Sequence, residues 1–561
     1  MRGRRATSDA IRTTCPYCGV GCGLLATPDG TGGASIAGDP EHPANFGKLC
    51  SKGAALGETL GSAGRLMHPM IGDRRVGWNE ALDQVAGGLL RVIAVHGPKA
   101  VAFYLSGQLL TEDYYVANKL AKGFIGTPHV DTNSRLCMAS SVAGHRRAFG
   151  ADVVPQNYAD LELADLVVLA GSNAAWCHPV LYQRIQAARA ARGLRVVTID
   201  PRRTVTSEGA DLHLAINPGT DAQLWNGLLV SLTDRGAIDW PYVRRHTEGF
   251  AEAVAAARGQ AVSAQAVACA TGLAATDVET FYRWWGDTDR VVSCYSQGVN
   301  QSAQGTDKVN AIINCHLATG RIGKPGSGPL SLTGQPNAMG GREVGGLANM
   351  LAAHLGYSAG ERDVVRRFWD APDLARSPGL KAVAMFTAVA AGRIKALWVI
   401  GSNPAVSLPR ADHVREAMRK LELLVVSDNV VSNDTRVATL AARFGYAVDR
   451  ALFYGKAGVG WVGNDGFTIT DLTTSQSFIG DTSHTVSGWM VGAGIEYAFT
   501  NNWTAKIEYD FIGLDGRSFT LPGVVIPALA GDTVTSNHNV QEVKLGINYL
   551  FNWGGPVVAR Y

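Results

Sequence analysis

Hydrophobic patterning divides the chain into two regimes that meet near residue 435. From about Trp78 to Val431, short continuous apolar runs alternate with amphipathic stretches of helical period, the pattern of parallel sheets covered on both faces. Asp165 to Ala170 is predicted as a buried strand, Val180 to Arg192 as a helix and Arg195 to Asp200 as the next strand, one right-handed β-α-β unit. Ala396 to Ile400, Ala411 to Leu421 and Leu423 to Ser427 form a second such unit. Each unit carries the same tripeptide directly after its first strand, Gly171-Ser172-Asn173 in one and Gly401-Ser402-Asn403 in the other. A tight turn at the C-terminal edge of a parallel strand turns backbone N–H groups and a helix N-terminus toward a diphosphate. One Gly-Ser-Asn can equally be a plain connector; its repetition in equivalent places points to two similar nucleotide ligands.

After Thr435 the period becomes two. In Trp503 to Phe511, Trp503, Ala505, Ile507, Tyr509 and Phe511 share one face, and Thr504, Lys506, Glu508 and Asp510 the other. Val543 to Phe551 repeats the alternation, and Trp489 to Tyr497 does so less sharply. Short connections at Val448 to Arg450 and Thr500 to Asn502 alternate with long ones at Gly463 to Thr485 and Gly513 to Asn539. Aromatic-ended strands of about ten residues with alternating short and long connections are expected of a transmembrane β-barrel, and a soluble antiparallel sandwich is the alternative. Five strands are expected here, fewer than the smallest usual barrels have.

Charge changes this picture little. Lys and Arg number 51 against 48 Asp and Glu, so no polybasic surface argues for nucleic acid or anionic lipid. Arg4-Arg5 is followed by polar residues rather than an apolar run, and no helix-type span is visible, so the expected compartment is the cytoplasm. The cysteines change more. Cys15-Pro16-Tyr17-Cys18-Gly19-Val20-Gly21-Cys22 puts three thiols on one Gly-rich loop, and Cys50 supplies a fourth. That spacing suits a 4Fe-4S cluster; zinc also takes four cysteines, but its usual paired CxxC knuckles do not match the triplet. Lys52, two residues beyond Cys50, is by itself a surface lysine beside a turn.

Together with Asn133-Ser134-Arg135-Leu136-Cys137-Met138 and Gln335-Pro336-Asn337-Ala338-Met339-Gly340-Gly341-Arg342-Glu343, these motifs resemble the molybdopterin oxidoreductases. More narrowly they are similar to the catalytic subunit of bacterial assimilatory nitrate reductases, over roughly residues 12 to 435. The resemblance implies an α/β multi-domain fold with Rossmann-like parallel sheets and an N-terminal Fe-S domain, here followed by an antiparallel β-barrel fragment. It divides the chain into a cluster domain at 1–75, truncated molybdopterin guanine dinucleotide-binding domains at 76–435, and the barrel-like fragment at 436–561. It implies Cys15, Cys18, Cys22 and Cys50 as cluster ligands, Lys52 as an aid to electron passage between cluster and pterin, and Cys137 as a molybdenum ligand. Without its flanking motif Cys137 would be a buried small hydrophobe. Met138 stands where similar formate dehydrogenases place His; a thioether cannot titrate, which favours oxygen-atom transfer from nitrate over C–H oxidation of formate.

The same resemblance implies that two molybdopterin guanine dinucleotides are held by several loops. One set is Gly171, Ser172, Asn173 and His178 with Asp200, Arg202 and Arg203; the others are Pro218-Gly219-Thr220-Asp221, Gly298-Val299-Asn300-Gln301, Gly341-Arg342 and Gly401-Ser402-Asn403. Arg342 can hold a planar anion through its fork of donors, or pair with Glu343 or another carboxylate. The implied reaction is two-electron reduction of nitrate to nitrite and water. Electrons come from a ferredoxin, a flavodoxin or an NADH-dependent reductase subunit, and formate oxidation is the alternative chemistry. Two families meeting in one chain suggest a recombined reading frame whose barrel part is not inserted in a membrane; a non-catalytic chimera is the alternative from another class.

Overall fold

The computed structural model describes residues 10–30, 32–62, 65–72 and 74–430 and, beyond these, the strands between 438 and 549. Arg4, Arg5, the Asn433-Asp434-Thr435 junction and Phe551 lie outside the described residues. Two compact units are distinguished, one comprising Met1–Ala63 with Met67–Asn429 and the other Gly64–Leu66 with Val430–Tyr561.

The first unit opens with a three-stranded antiparallel sheet, Ile11–Thr14, Gly23–Pro28 and Ala34–Gly38. Its first hairpin closes on the cysteine loop: the Cys15 N–H donates to the Cys22 carbonyl at 2.9 Å. Two parallel sheets follow. The five-stranded one has the spatial order Leu212–Leu214, Arg195–Ile199, Leu166–Ala170, Val291–Tyr295, Gly328–Ser331. In chain order this is 3-2-1-4-5, a doubly wound sheet whose order reverses between Leu166–Ala170 and Val291–Tyr295. Leu166–Ala170 and Val291–Tyr295 are buried throughout, which is why they read as continuous apolar runs.

The four-stranded sheet is assembled from distant segments, in the order Leu423–Ser427, Ala396–Ile400, Val101–Leu105, Val130–Thr132, all parallel. Its order reverses between Ala396–Ile400 and Val101–Leu105, so both Gly-Ser-Asn turns follow a strand that borders a reversal point. Ligands of open α/β sheets bind in such crevices at the C-terminal strand ends.

The expected helices are present with shifted ends. The first is Pro179–Arg192, begun by Pro at its first position and ended by Gly193 at φ 71°, both ordinary helix boundaries. The second ends at Met418 rather than Leu421. A core around Trp225, Phe281 and Trp285 packs the helices against one face of the five-stranded sheet. Among the described residues no helix is long and apolar enough to cross a membrane.

The second unit holds a consecutive antiparallel sheet of five strands, Ala438–Val448, Ala451–Asn464, His484–Ala498, Trp503–Leu514 and Asn539–Tyr549. Trp489, Val491, Ile495 and Tyr497, at alternating positions, are all exposed, as are Ile507 and Tyr509 on the next strand. The two long connections are not plain loops. Phe467–Thr470 pairs with Ser477–Gly480 and Arg517–Thr520 with Thr533–Ser536, each an antiparallel ribbon. These short threonine- and serine-containing stretches lack the sharp apolar alternation that marked the main strands.

Candidate active site

The cysteine loop is fixed from both sides. Fully buried Asn45 accepts the Gly23 N–H at 2.8 Å and donates to the Gly23 carbonyl at 3.0 Å and the Lys48 carbonyl at 2.9 Å. This pins the segment leading to Cys50 against the end of the loop that begins at Cys15. Cys15, Cys18, Cys22, Cys50 and Lys52 then line one cavity of about 560 Å3, together with Trp176, Cys177 and Val180. Burial pushes the Cys15 and Cys18 thiols up, and burial with the neighbouring cysteines pushes Cys22 to about 12. Such thiols give up their protons to a bound metal rather than to water. Among the described residues no group of three or more His, Cys, Asp or Glu side chains is arranged to hold a single metal ion; the four thiols ring a cavity instead. Cys177, exposed on the rim of that cavity, was not anticipated, because a lone cysteine outside the motif carries no signal in sequence.

From this loop the structure leads inward. Gly19 donates its N–H to the Gly334 carbonyl at 3.1 Å, and a Cβ on Gly19 would run into the Thr333 carbonyl. Tyr158 donates to the Gly19 carbonyl at 2.8 Å. His178, 1% exposed, has Nε2 at 2.6 Å from the Thr333 carbonyl, and burial holds its pKa below the usual value. Segment 333–335 therefore bridges the cysteine loop and the end of the five-stranded sheet.

Cys137 lies in the first turn of the helix Ser134–Phe149, which follows the edge strand Val130–Thr132 of the other sheet. It is buried, and Gln297 Nε2 stands 3.1 Å from its sulfur. Met138, also buried, receives the Asn300 Nδ2 at 3.2 Å. The hydroxyl of Ser141 donates to Asn300 Oδ1 at 2.5 Å, and that of Ser331 to Ser141 at 3.1 Å. Gln301, the residue expected from this loop, is exposed and donates to the Leu136 carbonyl at 3.0 Å. Gln297 precedes the quoted loop by one residue and was missed.

Arg342 is buried and grips Asp152 with two donors, Nε to Oδ2 at 2.7 Å and Nη2 to Oδ1. Its partner is thus Asp152, not Glu343, which pairs with His354. Burial raises the Asp152 carboxyl, but the neighbouring His145 and the two donors of Arg342 outweigh it and hold the pKa at about 2. Behind it, His145 Nδ1 is 3.6 Å from Asp152 and Nε2 is 2.7 Å from the Tyr295 hydroxyl.

The two Gly-Ser-Asn turns share one backbone. Gly171 and Gly401 have φ of 54° and 60°, and their N–H groups donate to Ile199 and Ser427, each at 2.9 Å. Ser172 is buried; Ser402 and Asn403 are half-buried. Asp200 accepts the Arg202 N–H at 2.9 Å, while Arg202 and Arg203 are exposed with no ion pair among the described residues. Pro218 and Gly219 form an exposed turn ahead of Asp221, whose carboxylate is taken by buried Lys308 at 2.5 Å. That partner, far along the chain, closes the carboxylate that the sequence leaves free.

The arrangement fits a large polar cofactor. Ser172 Oγ, His178 Nδ1, Thr333 Oγ1 and Gln335 Oε1 are all buried without a hydrogen-bond partner, although such groups are almost always paired. All four belong to the segments that converge at the C-terminal edge of the five-stranded sheet.

A doubly wound α/β unit with a cysteine-lined cavity and unsatisfied polar groups at its reversal point has the layout of a cofactor-binding protein. The family described as Molybdopterin oxidoreductase matches residues 65–440, and the Molybdopterin oxidoreductase Fe4S4 domain matches residues 9–62. The chain belongs to the molybdopterin oxidoreductase family. Residues 417–551 match the Outer membrane protein beta-barrel domain. A nitrate reductase of Klebsiella oxytoca is 53% identical over 426 residues, 76% of this chain and 48% of the relative. One of Shewanella frigidimarina is 48% identical, covering 77% and 47%. An F420-dependent formate dehydrogenase subunit alpha of Methanocaldococcus jannaschii is 32% identical, covering 76% and 63%. The chain thus spans about half the length of the nitrate reductases it matches. Acetylene hydratase from Pelobacter acetylenicus has the same fold, with a TM-score of 0.60 at 18% identity, covering 75% of this chain and 60% of that one.

Proposed function

We propose that the first unit is the cluster- and pterin-binding part of an assimilatory nitrate reductase, converting nitrate to nitrite and water with two electrons and two protons. The observation that carries this reading is the buried Cys137–Met138 pair set against the reversal point of the five-stranded sheet, in a chain 53% identical to a nitrate reductase. Cys15, Cys18, Cys22 and Cys50 would hold a 4Fe-4S cluster, and Lys52, which faces the same cavity, would ease electron passage inward. The unsatisfied Ser172, His178, Thr333 and Gln335 would meet a molybdopterin guanine dinucleotide, with Gly171, Asn173, Asp200, Arg202, Pro218, Gly219, Asp221, Gln301 and Gly341 on the surrounding loops. Gly401, Ser402 and Asn403 would take a second. Cys137 would be the protein's thiolate ligand. When bound, the molybdenum group supplies two-electron chemistry and accepts an oxygen atom.

The residues of the chain do the positioning. Arg342 keeps Nη1 free of Asp152 and can donate to a planar oxyanion, while Asp152 neutralises the pair so that an anionic product is not held tightly. Met138, with no titratable proton, keeps proton transfer away from the sulfur. Formate oxidation is the second reading, favoured by the formate dehydrogenase relatives and disfavoured by Met138. The domain boundaries we propose are 1–75, 76–435 and 436–561, the last a barrel-like fragment joined in a chimeric chain.

Anaerobically purified chain should carry about four irons. Reduced-viologen nitrate reduction should be weak in the chain alone and strong once the C-terminal half of a relative is fused after Thr435. Stoichiometric zinc without iron, or a restored fusion that oxidises formate and ignores nitrate, would overturn the reading.

A further inference from the structure

Three segments meet at the Cys137 sulfur. Cys137 comes from the helix after the four-stranded sheet, Gln297 from the turn after Val291–Tyr295, and Gly334 from beyond Gly328–Ser331. The Gln297 amide nitrogen lies 3.1 Å from the sulfur, within range for N–H···S. Gly334 makes that approach possible. A Cβ there would stand 2.7 Å from Gln297 Nε2 and 3.5 Å from Cys137 Sγ, so a side chain would displace the amide. The same Gly334 carbonyl receives the Gly19 N–H at 3.1 Å, so its position is set by the cysteine loop.

We infer that Gln297 is a positioning residue that acts through Cys137, donating its amide N–H to the sulfur and withdrawing electron density from it; this rests on Cys137 being the molybdenum ligand. A metal-bound thiolate has no proton and can only accept. The amide must then face it N–H inward, with Oε1 turned to the Ser296 hydroxyl, which donates to it. Bonds to a charged acceptor are about twice as strong as neutral ones, and here the acceptor sulfur is buried. A thiolate relieved of electron density gives less to the metal, so the reduced metal is favoured and the potential is raised. Gln297 touches neither the oxyanion nor, in this reading, the metal.

The test uses the full chain loaded anaerobically with molybdenum cofactor, with metal content measured first, and follows the Mo(V)/Mo(IV) couple by EPR-monitored redox titration. Gln297→Met keeps the volume and removes the donor. It should load as much molybdenum as the unaltered chain and shift the couple about ten-fold toward Mo(V), about 59 mV for one electron, with the iron-sulfur potential unchanged. Gln297→Glu, which puts an acceptor against the sulfur, should shift it further the same way. An unchanged couple in both variants overturns the inference, as does loss of molybdenum from the variants alone, which would make the amide structural. Failure of both the unaltered chain and the fusion carrying a relative's C-terminal half to take up molybdenum overturns the cofactor reading on which the inference rests, and metal content tells that outcome apart before any potential is read.

Discussion

The turn after Leu166–Ala170 and the turn after Ala396–Ile400 have the same sequence, the same left-handed glycine and the same N–H donated to the neighbouring strand at 2.9 Å. Asn173 and Asn403 each accept, through their carbonyls, the last two N–H groups of a four-residue helix. What lies behind them differs. A Cβ on Gly171 would meet the Gly298 backbone at 2.7 Å, whereas one on Gly401 finds nothing nearer than Leu109 Cδ2 at 3.4 Å. Buried Thr206 clamps the first turn, accepting from the Ala175 N–H at 3.0 Å and donating to Asn173 Oδ1 at 2.7 Å; among the described residues no side chain holds Asn403 in this way. The tripeptide dictates the backbone, and the second strand at each reversal point dictates how closely anything can approach it.

Gly171→Ala tests this difference most severely. The left-handed backbone costs an alanine about 1–2 kcal/mol, and forcing the Gly171 and Gly298 backbones apart adds about 1–3 kcal/mol. A loss of about 3 kcal/mol is expected, read from the unfolding midpoint of the near-UV circular dichroism of the first unit. A loss under about 1 kcal/mol would mean that the two backbones are not pressed together.

Thr206→Val removes the clamp while keeping the shape. Two part-buried groups, the Ala175 N–H and Asn173 Oδ1, lose a partner, which costs about 2 kcal/mol. Amide exchange of Ala175 should accelerate in step with that loss; unchanged exchange would leave the clamp without a role.

Acid separates the turns next, since His178 follows only the first. Burial lowers the pKa of its imidazole in the folded chain below the ordinary value of 6.5, which the unfolded chain keeps. The unfolded state thus binds more protons there, so stability is full above that pH and falls as pH drops, by at most about 1.4 kcal/mol per pH unit. His178→Gln, which can still donate to the Thr333 carbonyl, should flatten the stability profile as pH falls below about 6.5. An unaltered slope would show that other groups carry the acid sensitivity.

Much of this architecture was legible because strands such as Leu166–Ala170 and Val291–Tyr295 are buried on both faces and so are apolar without interruption. The repeated tripeptide marked both reversal points for the same reason that it builds both turns. What sequence did not yield was contact across the chain. The partner of Arg342 is Asp152, that of Asp221 is Lys308 and that of Cys137 is Gln297, each fixed by how sheets stack rather than by spacing. The cysteine loop is the exception, since its hairpin brings Cys15, Cys18 and Cys22 together locally. In the second unit the five main strands declared themselves by alternation, while the two ribbons in the long connections, with four residues a strand, offered too few positions to show a period.

The smallest effect is expected at the second turn. Gly401→Ala meets the same left-handed backbone cost as Gly171→Ala, because φ is 60° against 54°. Its new methyl falls at 3.4 Å from Leu109 and 3.5 Å from Ser106, ordinary van der Waals contact rather than a clash. Part of the backbone cost is returned, since alanine also narrows the unfolded ensemble by about 0.4–1 kcal/mol. A net loss of about 1 kcal/mol follows, and the gap between the two glycine variants measures the close approach of Gly171 to Gly298 alone. Equal losses at both positions would place the whole cost in the left-handed backbone and remove the distinction between a pressed turn and an open one.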